Sequence, residues 1–565
     1  MTKKNKSSLL LTLGAAGLLV GGGIAAYWLL IQPQRLAENL PVGVNIIPQN
    51  ALLTVSVSTQ PAKWQQLRAF GTLQTQAALD NYLVELRDRF LSANGYNYQQ
   101  DIQPWVGKEI TLAVVPPQAN PSTPTGAQQA IVAVLPIAKL DIAQQIFAQP
   151  KSLPQGKWNE RTYKGVEIKE TQGTKQSYSL AVLDRRFLVV SDNPQATERA
   201  IDTFKSGNSL TKLAGYGESL SKIAASDRFA QVYVNVPAAA TVVNNPKRSL
   251  SPQALAKLQQ NQGLAATINL ETEGVNFKSI SWLKQNSDRA YVVQNNAGKM
   301  QSRLPAETLM MLSGGNLQQL WQDYIKGANA NPIAPFPPEN LRSGVKSLTG
   351  LDLDEDLLSW MNGEFSLAVI PATAKTDSTP SDFALSLAFL VQASDADKAR
   401  KAIQELDRVV SDRYQFKIQQ AQVAGKPVVN WVAPYGTVTA THGWLDNNVA
   451  FFALGAPVAD KIITQSPANL ASTEQFQKTV PSELNPNNGQ FFLNINPTFK
   501  ALPLPQFIPN QQDFLAAVRS IGVTSAVSDR RSIRYDVFMM LNKAGTPQPL
   551  PSPGSSPSPR ITPSP

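Results

Sequence analysis

One histidine, two repeated carboxylates and no cysteine bound the proton and metal chemistry open to this chain. His442 is the single histidine in 565 residues, and cysteine is absent. Without thiolates there is no disulfide, no thiol nucleophile and no thiolate metal site. One imidazole does not make a zinc site, which takes several His or Cys ligands, and most acid–base schemes near neutral pH use histidine. His442, in THGW, reads as a surface or turn residue. The carboxylates are Glu109 and Glu364, which close two similar phrases, WVGKE (Trp105–Glu109) and WMNGE (Trp360–Glu364). Each stands at a strand start, where a carboxylate accepts loop amides. A paired-carboxylate catalytic site would need a second acid, and none recurs with them.

Other chemistries fail on spacing. Ser191-Asp192-Asn193, Lys205-Ser206-Gly207 and Ser219–Lys222 (SLSK) match three short motifs of serine acyl transfer. Their order is reversed, they crowd into one stretch, and the corresponding region of the second half lacks them. No phosphate-binding glycine loop, no H-E-x-x-H and no calcium-loop spacing occurs. LDLDEDLL (Leu351–Leu358) is acidic, but its counterpart YNYQQDIQ is not, so it reads as an exposed helix start. No catalytic residue, cofactor or metal ligand is assigned.

The elements that carry these residues come in two series. WVGKEITLAVVP (Trp105–Pro116) and WMNGEFSLAVIP (Trp360–Pro371) lie 360 − 105 = 255 positions apart. Pro48 and Pro305, Trp64 and Trp321, LDRRFLVVSD and LDNNVAFFAL, VYVNVP and FFLNINP recur in the same order. Landmarks repeating in order over so long a period mean whole units rather than a solenoid. The reading is α+β: two tandem homologous domains, 42–290 and 300–543, each a mostly antiparallel sheet of hairpin-paired strands with packed helices. The Trp phrase is expected to enter a strand through a left-handed turn at Gly107 or Asn362, which anchors the ring. Residues 544–565 are Pro/Ser-rich and read as an extended, disordered tail.

Lys3, Lys4 and Lys6 precede an uncharged run, 7–31. Its apolar part, 8–31, is long enough as a helix to cross a ~30 Å hydrocarbon core. It is longer than a signal h-region and ends in bulky YWLLI, so it reads as an uncleaved signal-anchor. Residues 1–7 stay cytoplasmic and the bulk lies across the membrane, in the periplasm or thylakoid lumen. Gly17, Gly21 and Ala25 put small residues on one helix face, a packing surface for another helix. The formal charge is +10, without a basic stripe interleaved with aromatics, so nucleic acid is excluded as a partner.

The anchor, IPQNALLTVSVST, the segment Asp101–Glu109, YKGVEI (Tyr163–Ile168) and LDRRFLVVSD together resemble a family of cyanobacterial single-span proteins with a large domain of unknown function. The resemblance covers most of 42–543 and departs at Asn362. It implies an envelope or thylakoid location and supplies no activity. The functional expectation is a membrane-anchored, non-enzymatic binding or scaffold protein, gripping a protein partner with two related surfaces. The alternatives are a carrier for lipidic or hydrophobic ligands and a carboxylate-dependent hydrolase.

Overall fold

Alternating runs such as LTVSVS and EITLAVV bury every second side chain and become strands. In the computed structural model the described residues are 40–92, 95–116, 129–148, 157–172, 177–243, 252–328, 337–372, 385–436, 438–455, 458–464, 466–501 and 511–551. The first half runs β1 (Leu53–Ser58), α1 (Pro61–Arg68), α2 (Leu73–Phe90), β2 (Glu109–Val115), β3 (Ala130–Pro136), α3 (Leu140–Ala148), β4 (Lys157–Tyr163), β5 (Val166–Gln172), β6 (Ser179–Leu183), β7 (Phe187–Ser191), α4 (Pro194–Ser206), α5 (Tyr216–Leu220), β8 (Ala230–Asn235), α6 (Val236–Val243), α7 (Pro252–Leu258), β9 (Asn261–Leu270) and β10 (Gly274–Leu283). The second half follows the same order: β11 (Met310–Gly314), α8 (Leu317–Ala328), α9 (Pro338–Thr349), β12 (Phe365–Pro371), β13 (Leu385–Gln392), α10 (Ala396–Tyr414), β14 (Lys417–Val423), β15 (Lys426–Val432), β16 (Val438–Asp446), β17 (Val449–Gly455), α11 (Ala459–Thr464), α12 (Glu474–Thr479), β18 (Gly489–Asn494), α13 (Ile495–Ala501), α14 (Gln511–Ala517), β19 (Val518–Asp529) and β20 (Ser532–Leu541).

Strand pairing repeats with the elements. The first half is ordered β4-β5-β6-β7-β3-β2-β1-β8-β9-β10, every pair antiparallel. The second is ordered β14-β15-β16-β17-β13-β12-β11-β18-β19-β20. The halves then meet: β10 pairs with β20 from Gly274↔Met540 to Trp282↔Ser532, with Lys278 opposite Asp536 at the midpoint. Because each half contributes its last strand, antiparallel, the halves are related by a local twofold through that pair.

This corrects the expected fold of two tandem α+β domains behind a transmembrane helix. The described strands form a single antiparallel sheet, not two. The cause lies in β10 and β20. Both bury large side chains: Ile280 and Trp282 on one, Ile533, Tyr535, Val537, Phe538, Met539 and Met540 on the other. Neither suits a solvated edge, and pairing covers both. Among the described residues no helix is long and apolar enough to cross a membrane. The run 8–31, with Gly17, Gly21 and Ala25, and the basic residues before it lie outside the described residues.

Helices cover both sheet faces. On one, α4 and α5 bury Ile201, Tyr216 and Leu220 against β2, β3, β6 and β8, and α11 and α12 do likewise in the second half. On the other, α3 packs beside Trp105, and α8, α9 and α10 pack around Trp360.

Charges close the seam on the first of these faces. Arg534 holds Asp536 through two 2.9 Å contacts and Glu483 at 2.6 Å, and Lys278 reaches Glu483 from the first half. Burial pushes the Asp536 carboxyl up to about 6, against the pull of Arg534. Glu483 goes the other way: burial raises it, but Lys278 and Arg534 outweigh that and hold it below the ordinary value.

Each half also sends its C-terminal extension to the other. After β10, Tyr291 N–H donates to Arg530 O at 2.8 Å, and Asn295 exchanges two hydrogen bonds with Val527. After β20, Ala544 N–H donates to Ala69 O at 2.9 Å, Arg68 to Gln548 O at 2.5 Å, and Arg87 to Pro551 O. Residues 544–551, expected to be a free tail, are thus strapped to α1 and α2 by backbone carbonyls that composition does not reveal. The rest of that segment lies outside the described residues.

Candidate functional site

The repeated phrase builds the same clamp twice. Asn97 and Asp352 cap a short helical turn with their side-chain oxygens, and Asp101 and Asp356 reach back to the amides of Asn97 and Asp352 at 2.6 and 2.7 Å. One turn later the indole N–H of Trp105 donates to Asp101 O at 2.6 Å, and that of Trp360 to Asp356 O at 3.2 Å. Both rings are buried, at 0% and 1% exposure. Each tryptophan carbonyl accepts an amide hydrogen from just past β3 or β13, Ala138 at 2.8 Å and Ser394 at 2.9 Å.

The two glutamates hold incoming chain. Glu364 Oε1 accepts from the amides of Gly298, Lys299 and Met300 at 2.7, 2.6 and 3.0 Å. Glu109 accepts from the Val42 amide at 3.0 Å and pairs with Arg228 at 2.8 Å. These contacts join the start of each half to its sheet. No second acid faces either glutamate in them, and the arrangement is a structural latch.

The left-handed turn expected at Gly107 or Asn362 is not present: neither has a positive φ. What constrains this stretch is close approach. A Cβ on Gly107 would sit 3.1 Å from Pro136 Cβ, and one on Gly363 only 2.4 Å from Gln392 O. Gly107 N–H donates to Pro136 O at 2.8 Å, so the backbones must come together.

The rejected chemistries stay apart. Ser191, on β7, donates to Ile131 O, and Asn193 caps α4. Ser219 is sealed beneath the sheet, while Lys222 turns to Asp529 at 3.0 Å. Of the acids of LDLDEDLL, Asp352 and Asp356 cap the helical turn and Asp354 pairs with Arg342 at 2.6 Å. Among the described residues no group of three or more His, Cys, Asp or Glu is placed to hold a metal.

His442 is not a turn residue. It lies buried in β16, with Nε2 2.7 Å from Asp407 Oδ1. The Trp431 indole N–H donates to that same oxygen at 2.6 Å. One carboxylate on α10 thereby ties the helix to two strands. Gly443, beside it, lies within the same strand. It sits where the Phe451 ring leaves no room: a Cβ there would lie 3.0 Å from that ring.

What remains for binding is apolar sheet surface. In β1 the hydroxyl side chains Thr54, Ser56 and Ser58 are buried, while Leu53, Val55 and Val57 are only half-buried. The hydroxyls satisfy one another: Ser56 Oγ lies 2.7 Å from Thr111 Oγ1, which donates to Val42 O at 2.7 Å. The aliphatic side chains face the other way. There Leu112, 37% exposed, lies opposite Val55 on one side and Ala133 on the other, and Val55 lies opposite Val232. The second half has its own patch on the same sheet face. Leu387 and Leu454, 40% and 43% exposed, lie directly opposite each other, and Leu387 also faces Val369. Alternation alone assigns these aliphatic residues to the core, which is why the patches are not legible in the sequence.

The opposite face shows where the halves differ. Thr54 lies opposite Tyr233, and Met311 lies opposite Phe492 in the matching place. Tyr216 meets Tyr233 edge-on at 4.9 Å, where Phe476 meets Phe492 at 5.5 Å. The buried Tyr233 hydroxyl has no hydrogen-bond partner among the described residues. Removing an unpaired buried hydroxyl relieves its desolvation, so Tyr233→Phe is expected to stabilise the protein by about 1 kcal/mol. A lower urea midpoint for the variant would contradict this.

A family model described as "Protein of unknown function (DUF3352)" matches residues 12–541. No curated protein matches the chain. Among solved structures, crystal forms III and IV of TP0453 share 8% and 9% identity with it, over 44% and 43% of this chain and 81% of theirs. Their TM-scores are 0.24, too low to carry an argument about fold or function.

Proposed function

We propose, for a chain that belongs to the family described as protein of unknown function (DUF3352), a non-catalytic binding role in which two related apolar sheet patches engage a protein partner. The supporting observation is the pair of patches around Leu112 and around Leu387 and Leu454, one in each half and on one sheet face. Two patches on one rigid sheet make the second contact intramolecular, so modest surfaces give a firm grip. The reading includes an origin of the halves by copying, supported by their shared element order and strand pairing. It also includes an extracytoplasmic location, in a cyanobacterial periplasm or thylakoid lumen, supported by Lys3, Lys4 and Lys6 ahead of the uncharged run. A carrier role for hydrophobic ligands is the second reading, favoured by the facing Leu387 and Leu454.

Crosslinking in native membranes, followed by identification of what is attached, tests it. Wild type is expected to yield one recurrent protein partner, and Leu112→Asp with Leu387→Asp is expected to lose it. Both side chains are more than a third exposed, so the double variant should unfold within about 1 kcal/mol of wild type. Recovery of the same partner by the folded double variant would contradict the proposal. Recovery of lipid alone would favour the carrier.

A further inference from the structure

The sheet ends in two matching hairpins, β4–β5 and β14–β15. Their turns are alike: Lys164 and Gly165 have φ of 49° and 75°, and Ala424 and Gly425 have 48° and 78°. The outermost strands, β4 and β14, each pair on one side only among the described residues. An unpaired edge presents free backbone donors and acceptors, and proteins guard such edges with charge.

The β4 edge is guarded. Its hairpin carries Lys157, Glu160, Arg161, Glu167, Lys169 and Glu170, joined by Arg161–Glu170 at 2.6 Å and Lys169–Glu160 at 2.9 Å. The β14 hairpin carries only Lys417 and Lys426. Since both hairpins have the same geometry, the difference lies in their side chains. Beside the open edge stand two exposed aromatics. Tyr414 precedes β14 and is 40% exposed, and Tyr435, 72% exposed, follows Val432, the residue opposite Lys417. Tyrosine is enriched at protein interfaces relative to the rest of the surface.

We propose that the β14 edge is a dimerisation edge, on which a second copy of this chain lays its own β14 antiparallel to continue the sheet. A twofold dimer places each residue of the patch against its symmetry mate. Centring the pairing on Gln420 sets Gln420 against Gln420, Gln419 against Ala421 and Lys417 against Val423, with no like charges opposed. The same construction on β4 centres on Glu160 and opposes two carboxylates. Charge thus admits self-pairing at one end of the sheet and refuses it at the other. The tyrosines of one copy then flank the Ala424-Gly425 turn of its mate.

Sedimentation of the full-length chain tests this. Wild type should be a dimer. Gln420→Lys opposes two ammonium groups at the centre and should weaken association by about tenfold or more. Gln420 is exposed, so the substitution leaves the fold intact, and Gln420→Glu should behave the same way. Mixing the Lys and Glu variants should restore the dimer, which mere local damage would not allow. Lys157→Gln, an exposed β4 change that keeps the opposed Glu160 pair, should leave the dimer unchanged. A monomeric wild type, a dimer indifferent to Gln420→Lys, failure of the mixture to associate, or open-ended assemblies larger than a dimer would each overturn the proposal. None of these results depends on the apolar patches.

Discussion

Trp360→Ala is expected to lower the free energy of unfolding by about 3–5 kcal/mol, the range for emptying a fully buried aromatic site. The ring is 1% exposed and packs among Trp321, Leu358, Phe365, Val391 and Ile403, which cannot collapse into the space without moving α8 and α10. Its loss also frees Asp356 O, the acceptor of the indole hydrogen. Trp105→Ala should cost a similar amount, because Trp105 is fully buried and meets Phe147 edge-on at 5.3 Å. Urea denaturation of each variant measures this. A loss under about 1 kcal/mol would mean that the repeated phrase is not a packing device.

The second large effect is a dependence on pH that comes from the seam. Asp536 is 1% exposed, and its carboxyl is raised to about 6. In an unfolded chain an aspartate titrates near 3.9. The folded protein therefore holds this proton more tightly than the unfolded one. Its stabilising effect is complete below about 4 and is lost as pH rises through about 6, for a total of about 3 kcal/mol. Glu483, held below its ordinary value, has the opposite sign: its contribution is present at neutral pH and is lost as pH falls through its folded pKa. The two therefore mask each other in the wild type. Comparison with Asp536→Asn separates them. Between pH 4 and pH 7 the wild type should lose about 2 kcal/mol relative to the variant, whatever the constant offset from disturbing Arg534. A difference that is flat with pH, or that grows in favour of the wild type as pH rises, would show that burial does not govern Asp536.

The local parts of this fold were open to reading from sequence. Asn193 and Pro194 open α4 as cap and first residue, and Asp395 caps α10. Tyr163-Lys164-Gly165-Val166 turns because two consecutive left-handed residues close the hairpin. The recurring Asp, Trp and Glu of the clamp are visible because they stand close together in each copy, although the glutamates act on chain more than 60 positions away, at 67 for Val42 and 66 for Gly298. Three features were not visible. The β10–β20 seam joins residues that lie between 532 − 282 = 250 and 540 − 274 = 266 positions apart, and nothing local in either strand names its partner. The face of β1 is inverted because Thr54, Ser56 and Thr111 find hydrogen-bonding partners under the helices, which a rule based on hydropathy does not foresee. His442 was not legible as buried because its partner, Asp407, lies 35 positions away on another element.

Hydrogen exchange at the seam is the most direct test of a single sheet built from two like halves. Amide hydrogens of β10 and β20 that donate across the Lys278/Asp536 pair should exchange only through global unfolding, with one free energy common to both strands and equal to that from urea denaturation. Exchange from these strands at a lower free energy, with β1 to β9 and β11 to β19 remaining protected, would mean that the halves part without unfolding and would contradict the account.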